Sequence, residues 1–138
     1  MAIIGRTVVT SNQAPLPLGA CSLGMTVTPG KMLYIAGQVG VDVSGSLVGQ
    51  GDAAAQTRQA LGNIGYVLAS TGGDFGNVVE FTTYVVGRES LPGYLQGRSG
   101  VYADIYPNGD FPPNTLTMVA GLVNEEFLVE IKAVAALP

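Results

Sequence analysis

Val78-Val79-Glu80-Phe81-Thr82-Thr83-Tyr84-Val85-Val86 is a run of β-branched and aromatic residues that reads as a strand. Just beyond it, Ser90-Leu91-Pro92 offers a capping hydroxyl and a first-turn proline, which open a helix through Tyr94, Leu95, Val101, Tyr102 and Ile105. Pro107-Asn108-Gly109-Asp110 stops that helix. Upstream, Asp52 is placed to cap another helix, whose apolar positions Leu61, Ile64 and Leu68 recur at spacings of three and four and which Thr71-Gly72-Gly73 ends. Gly62 and Gly65 inside it cost about 1 kcal/mol each relative to alanine, so close packing against a sheet is expected there. Strands are expected over Arg6–Thr10, Ala20–Thr28 and Lys31–Ala36, the last two joined as a hairpin by Pro29-Gly30. After Phe111-Pro112-Pro113, two further strands, Asn114–Val123 and Phe127–Ala136, flank Asn124-Glu125-Glu126 as a second hairpin. The expectation is one α+β domain over residues 1–138, a mixed sheet with two helices on one face.

That arrangement leaves a sheet face without a roof. The Asn114–Val123 strand is largely apolar on both alternating sets, so a second copy of the chain is expected to cover the open face, with pockets between subunits. Composition agrees: 47% of residues are hydrophobic and 12% charged, against roughly 25% charged in ordinary soluble domains. The longest apolar runs are strand-length and interrupted, so no membrane span of about 20 residues is expected. The opening residues show neither a basic leader nor a continuous apolar stretch, which makes the cytoplasm the expected location.

Net charge is −4 and the six Lys and Arg are scattered singly, so no basic stripe offers itself to nucleic acid. The chain has no histidine and a single cysteine, Cys21. An internal disulfide, a multi-thiolate zinc site, a histidine triad and most transition-metal sites are therefore excluded. Chemistry has to run on carboxylates, amides, hydroxyls, backbone groups, bound water or that thiol. Gly37 and Gly40 permit close backbone approach, but no phosphate-binding fingerprint surrounds them.

Taken together, Ala14-Pro-Leu-Pro-Leu-Gly19, Ile35-Ala-Gly-Gln38, Gln56-Thr-Arg-Gln-Ala-Leu-Gly-Asn-Ile64, Val78–Val85, Phe111-Pro-Pro-Asn-Thr115 and Val129-Glu-Ile-Lys-Ala-Val-Ala135 resemble, in order and spacing, the reactive intermediate deaminase (Rid, or YjgF-like) family over residues 6–138. The resemblance implies a chorismate-mutase-like fold and a homotrimer with small-molecule sites at subunit interfaces. It also implies hydrolysis of imines or enamines, with release of ammonia and without cofactor. Glu130 matches the glutamate that positions or activates the hydrolytic water.

The other matching positions have changed. The family's carboxylate-binding arginine stands where this chain has Asn114, which is neutral and cannot make a bidentate grip. Cys21 replaces an aromatic residue, Ala36 a serine and Ser99 an asparagine, while Gln38 remains. These changes thin out polar anchoring, so a standard 2-imino acid is not the expected substrate. An RNA-cleaving role, also attached to this family, fits poorly with an acidic chain lacking histidine.

Each candidate has a bland alternative. Glu130 and Lys132 lie two apart on a strand and share a face, where an ion pair would suffice. Asn114 suits a tie at the Pro112-Pro113 corner, Cys21 a small buried hydrophobe, and Tyr102 the core. Arg88 and Arg98 are the remaining candidates for gripping an anion. The expectation is thus a Rid-like hydrolase, lyase or deaminase acting through Glu130, against a trimeric small-molecule binding or regulatory protein on the same scaffold.

Overall fold

The computed structural model describes residues 4–138; the first three residues of the opening segment read above lie outside them. Strands β1 (Gly5–Val9) and β2 (Gly24–Thr28) pair with each other as an antiparallel ribbon. Strands β3 (Lys31–Gln38), β4 (Val78–Val86), β5 (Asn114–Val119) and β6 (Val129–Leu137) form a four-stranded sheet in the order β3-β6-β4-β5. Helices α1 (Ala53–Ala69) and α2 (Leu91–Ile105) follow β3 and β4 respectively and pack against each other and the sheet. The α+β class and the mixed sheet with helices on one face are as expected.

Both expected hairpins are absent. Pro29-Gly30 does turn the chain, but the Gly30 N–H donates to Leu137 O at 2.7 Å, delivering β3 to β6 instead of back to β2. At the other end, Glu126 N–H donates to the Asn124 side chain at 2.8 Å and Phe127 N–H to its carbonyl at 3.0 Å, so a turn forms there too. Yet β5 stops at Val119 and pairs parallel with β4, while β6 runs antiparallel between β3 and β4. Each helix is therefore a crossover between parallel strands, and β6 fills the slot that the first crossover leaves open.

α1 starts where its cap predicts: Asp52 has extended backbone and its side chain accepts from the Ala55 N–H at 3.0 Å. Ser90 precedes α2 without a side-chain cap bond, and Pro92 alone supplies the expected signal. Leu61, Ile64 and Leu68 are at most 1% exposed, each burial stabilising by about 1.5–3 kcal/mol. The two helices meet through glycines. A Cβ at Gly97 would lie 2.6 Å from Ala54 O, and one at Gly93 would lie 3.0 Å from Ala53 Cβ, so only hydrogen at both positions lets α2 settle on α1. The α1 glycines do not meet the sheet as expected: Gly65 packs on the Phe75 ring in the 3-10 turn Phe75–Asn77, and Gly62 faces open space.

Alternation along the strands divides the sheet cleanly. Ile35, Phe81, Thr83, Val85, Val129, Ile131 and Ala133 face the helices and are buried. Met32, Tyr34, Thr82, Tyr84, Glu130, Lys132 and Val134 lie on the opposite face, exposed or half-buried, with Tyr34 at 75% exposure. Among the described residues no helix is long and apolar enough to cross a membrane.

Candidate functional site

Glu130 sits on the open face of β6, opposite Tyr84 of β4. Its neighbour on the other side is a β-bulge: Ile35 pairs with Ala133 and Gln38 with Ile131, so Ala36 and Gly37 together oppose the single residue Lys132. The bulge brings the Gly37 backbone under the Glu130 carboxylate. A Cβ built on Gly37 would run into Glu130 Oε2 and lie 2.8 Å from its Cδ and 3.0 Å from its Cγ. Gly37 is thus the residue that makes room for the acid, and it is exposed on the same face. The expected ion pair with Lys132 does not form: Arg6 to Asp110, at 3.3 Å, is the one salt bridge among the described residues. Glu130 is therefore half-buried and uncommitted.

Ala36 and Gln38 flank the same bulge. The Gln38 amide donates back to Ala36 O at 3.3 Å, and Gln38, Gly37, Val41, Asp42, Asn63 and Tyr66 line an open cleft of about 370 Å³ between the end of β3 and α1. Asn63 donates to Val41 O at 2.8 Å and fixes one wall of that cleft. The Ser44 hydroxyl, with the Ser46 N–H, donates to Asp42 and holds its carboxyl below the ordinary carboxylate range.

Asn114 lies elsewhere. It pairs with Phe81 on the helix side of the sheet, and the buried Thr83 hydroxyl donates to its Oδ1 at 2.9 Å. The tie runs to β4 and not to the proline corner, and it leaves Nδ2 as the donating end of a fixed, neutral amide. Ser99 is exposed on α2 and, with Ala20, Tyr102, Ala103, Tyr106 and Phe111, borders an open cleft of about 430 Å³. Cys21 is half-buried in an adjoining groove that shares the Phe111 wall, three residues before Asn114.

Tyr102 belongs to the core, as expected, at 6% exposure. Its ring stacks on Phe111 with centroids 5.6 Å apart and meets Tyr106 edge-on at 5.2 Å. Burial pushes its phenol well above the ordinary range, Tyr94 adds to that push and Arg98 opposes it; burial likewise raises Tyr106. The Arg98 guanidinium carbon lies 5.3 Å from the Tyr94 ring centre and 5.6 Å from that of Tyr102. Its Nε is buried without a hydrogen-bond partner, a state that costs about 1–3 kcal/mol for a buried donor. Arg88, by contrast, is exposed on the 3-10 turn Arg88–Ser90.

The candidates thus fall into two groups within one chain. Ala36, Gln38 and Glu130 surround the bulge, with Glu130 on the open face, while Cys21 and Ser99 line two clefts that share Phe111 and Asn114 faces the helix side of the sheet. Sequence reasoning gave Gln56 no role, yet it is fully buried and accepts from Leu128 N–H at 2.8 Å while donating to Gly49 O and Glu126 O. A glutamine inside an apolar helical stripe was the available signal. Its clamp anchors the residues entering β6, and so the strand that carries Glu130. Among the described residues no cluster of three or more His, Cys, Asp or Glu could hold a metal ion.

Comparisons with known proteins extend over the whole of this frame. The family model described as Endoribonuclease L-PSP matches residues 4–137. A rat protein named 2-iminobutanoate/2-iminopropanoate deaminase is 31% identical over 135 residues, covering 98% of this chain and 93% of its own. The bovine protein of the same name is 34% identical over 136 residues, with coverages of 98% and 93%. A crystal structure from Yersinia pestis, a protein of unknown function of the conserved Rid protein family, superimposes with a TM-score of 0.83 at 33% identity, covering 96% of this chain and 98% of that one. With the fold, the family model and relatives of this similarity in agreement, the chain belongs to the Rid (YjgF-like, endoribonuclease L-PSP) family.

Proposed function

We propose that this chain is a cofactor-independent hydrolase of a small imine, enamine or related carbonyl compound, acting in a pocket completed by a second copy of itself in a homotrimer. The observation that carries the reading is the Glu130 carboxylate, half-buried on an open sheet face, seated over Gly37 and engaged by no cation. The rat and bovine relatives, named as imine deaminases, support the same reaction class.

In this reading Glu130 takes a proton from a water as its oxygen bonds to the imine carbon, and the proton passes to the imine nitrogen. The resulting carbinolamine collapses to a carbonyl and ammonia, so one water is consumed for each ammonia released. The split of the candidates supports an intersubunit pocket: Glu130 and Asn114 face opposite sides of the sheet in one chain, with Cys21 and Ser99 in the clefts at Phe111, so two chains are needed to set the acid against the others. Tyr34 and Met32, exposed beside Glu130's face, supply apolar area for that contact. The acidic composition and the lack of histidine favour this chemistry over the RNA cleavage that the family's description names.

The test is ammonia release from freshly generated 2-iminobutanoate by the wild type and by Glu130→Gln. Glu130→Gln should reduce turnover about 10²- to 10⁴-fold while assembly is retained. No acceleration by the wild type with this or other small imines would favour a non-catalytic binding protein on the same scaffold.

A further inference from the structure

We infer that Arg98, not residue 114, supplies the positive charge that recognises the ligand, so the pocket takes a small molecule bearing a carboxylate. The inference rests on the ligand site proposed above and deepens it. A neutral amide stands at position 114, with its oxygen already occupied by the Thr83 hydroxyl. A guanidinium, by contrast, lies 5.6 Å from the ring centre of Tyr102, which lines the Ser99 cleft. Arg98 immediately precedes Ser99 on α2, and its Nη2 lies against Gly19, with a Cβ built there 3.7 Å away. Gly19 is two residues from Cys21, and Cys21 is close enough to Tyr102 to bear on its ionisation.

Three features set Arg98 apart from an ordinary surface arginine. It has no carboxylate partner, since the one salt bridge among the described residues belongs to Arg6. It is held between the Tyr94 and Tyr102 rings, with only a long 3.5 Å contact from Nη1 to the Tyr94 hydroxyl, so orientation comes from stacking and the fork stays free of strong acceptors. Its Nε is buried and unpaired, a penalty that a freely solvated side chain would escape by turning outward. A stacked, half-buried guanidinium without an anion is a preorganised carboxylate receptor, because its fork matches the two oxygens and little conformational freedom is lost on binding. The base on one chain and the cation on its neighbour would then grip opposite ends of the same small molecule.

The test is equilibrium binding of 2-oxobutanoate, followed by calorimetry or chemical-shift titration, which needs no turnover. Wild type should bind the acid at least about tenfold more tightly than its methyl ester, and Arg98→Gln should weaken binding of the acid about 10- to 100-fold while leaving the ester unaffected. Arg88→Gln, on an exposed turn, should match the wild type. No preference for acid over ester in the wild type, no binding of the acid, or equal binding by a folded Arg98→Gln would each overturn the inference. The acid–ester comparison stands even if Arg98→Gln does not fold. Arg98-dependent binding without any ammonia release would sink the hydrolase reading and leave the carboxylate site standing.

Discussion

Replacing Gly37 by alanine separates the site from the fold. The new methyl would occupy the space of the Glu130 carboxylate, lying 2.8 Å from Cδ if nothing moved. Glu130 is the end of a flexible, half-buried side chain, so it can swing aside without disturbing β6, whose buried residues point the other way. Overpacking a rigid core costs about 1–3 kcal/mol, and relief by rotation should bring the cost here below about 1 kcal/mol. Catalysis should suffer far more, because moving a reacting group by about 1 Å costs about 100-fold in rate. The assay pairs urea denaturation with ammonia release for wild type, Gly37→Ala, Glu130→Gln and the double variant. Gly37→Ala should remain folded, lose about 100-fold or more in turnover, and add little to the Glu130→Gln defect. Wild-type turnover in Gly37→Ala, or full additivity with Glu130→Gln, would refute the assignment of Gly37 as the seat of the acid.

Gly97→Ala should destabilise the chain by about 1–3 kcal/mol in urea, since its methyl meets the Ala54 carbonyl oxygen at the helix crossing; an unchanged midpoint would mean the helices separate freely. Gln56→Leu should cost about 3 kcal/mol or more, because it leaves Leu128 N–H, Gly49 O and Glu126 O without their partner, and the same denaturation experiment reads it. Tyr102 and Tyr106 have raised phenol pKa values in the folded chain, so their contribution to stability is fully present below about pH 10, where the unfolded chain begins to ionise, and is lost as pH rises further. Thermal midpoints should therefore fall above pH 10, with these two phenolate signals appearing only on unfolding. Asn114→Arg should raise kcat/KM for 2-iminobutanoate about tenfold or more, by adding a second grip on the carboxylate; no gain would show that the pocket does not reach position 114.

Local signals were read correctly where they act locally. Asp52 caps α1, Val78–Val86 is the strand its composition announces, and Tyr102 joins the core stripe of α2. Strand order escaped because turn residues fix a change of direction and not the pairing that follows. Pro29-Gly30 and Asn124-Glu125-Glu126 both turn, but the flanking strands find partners elsewhere, where β6 has apolar neighbours on each side. The strand-helix-strand-helix-strand alternation was the available clue, since a helix between strands is the ordinary bridge between parallel neighbours. The candidate residues were named from family positions, whereas their division over two faces depends on strand register and on the bulge at Ala36-Gly37, which sequence periodicity does not reveal. Arg98 was named only as one of two spare cations; its stacking between Tyr94 and Tyr102 follows from spacings of four along α2.

Whether two chains complete one pocket can be measured by mixing two inactive variants, Glu130→Gln on one face and the obstructive Ser99→Trp on the other. Co-refolded in equal amounts, they should form a trimer of about three times the 14.1 kDa chain mass. About a quarter of the interfaces should then join an intact Glu130 to an intact Ser99 cleft, restoring about a quarter of wild-type ammonia release. Activity no higher than that of either variant alone, in a mixture shown to have exchanged chains, would contradict the account.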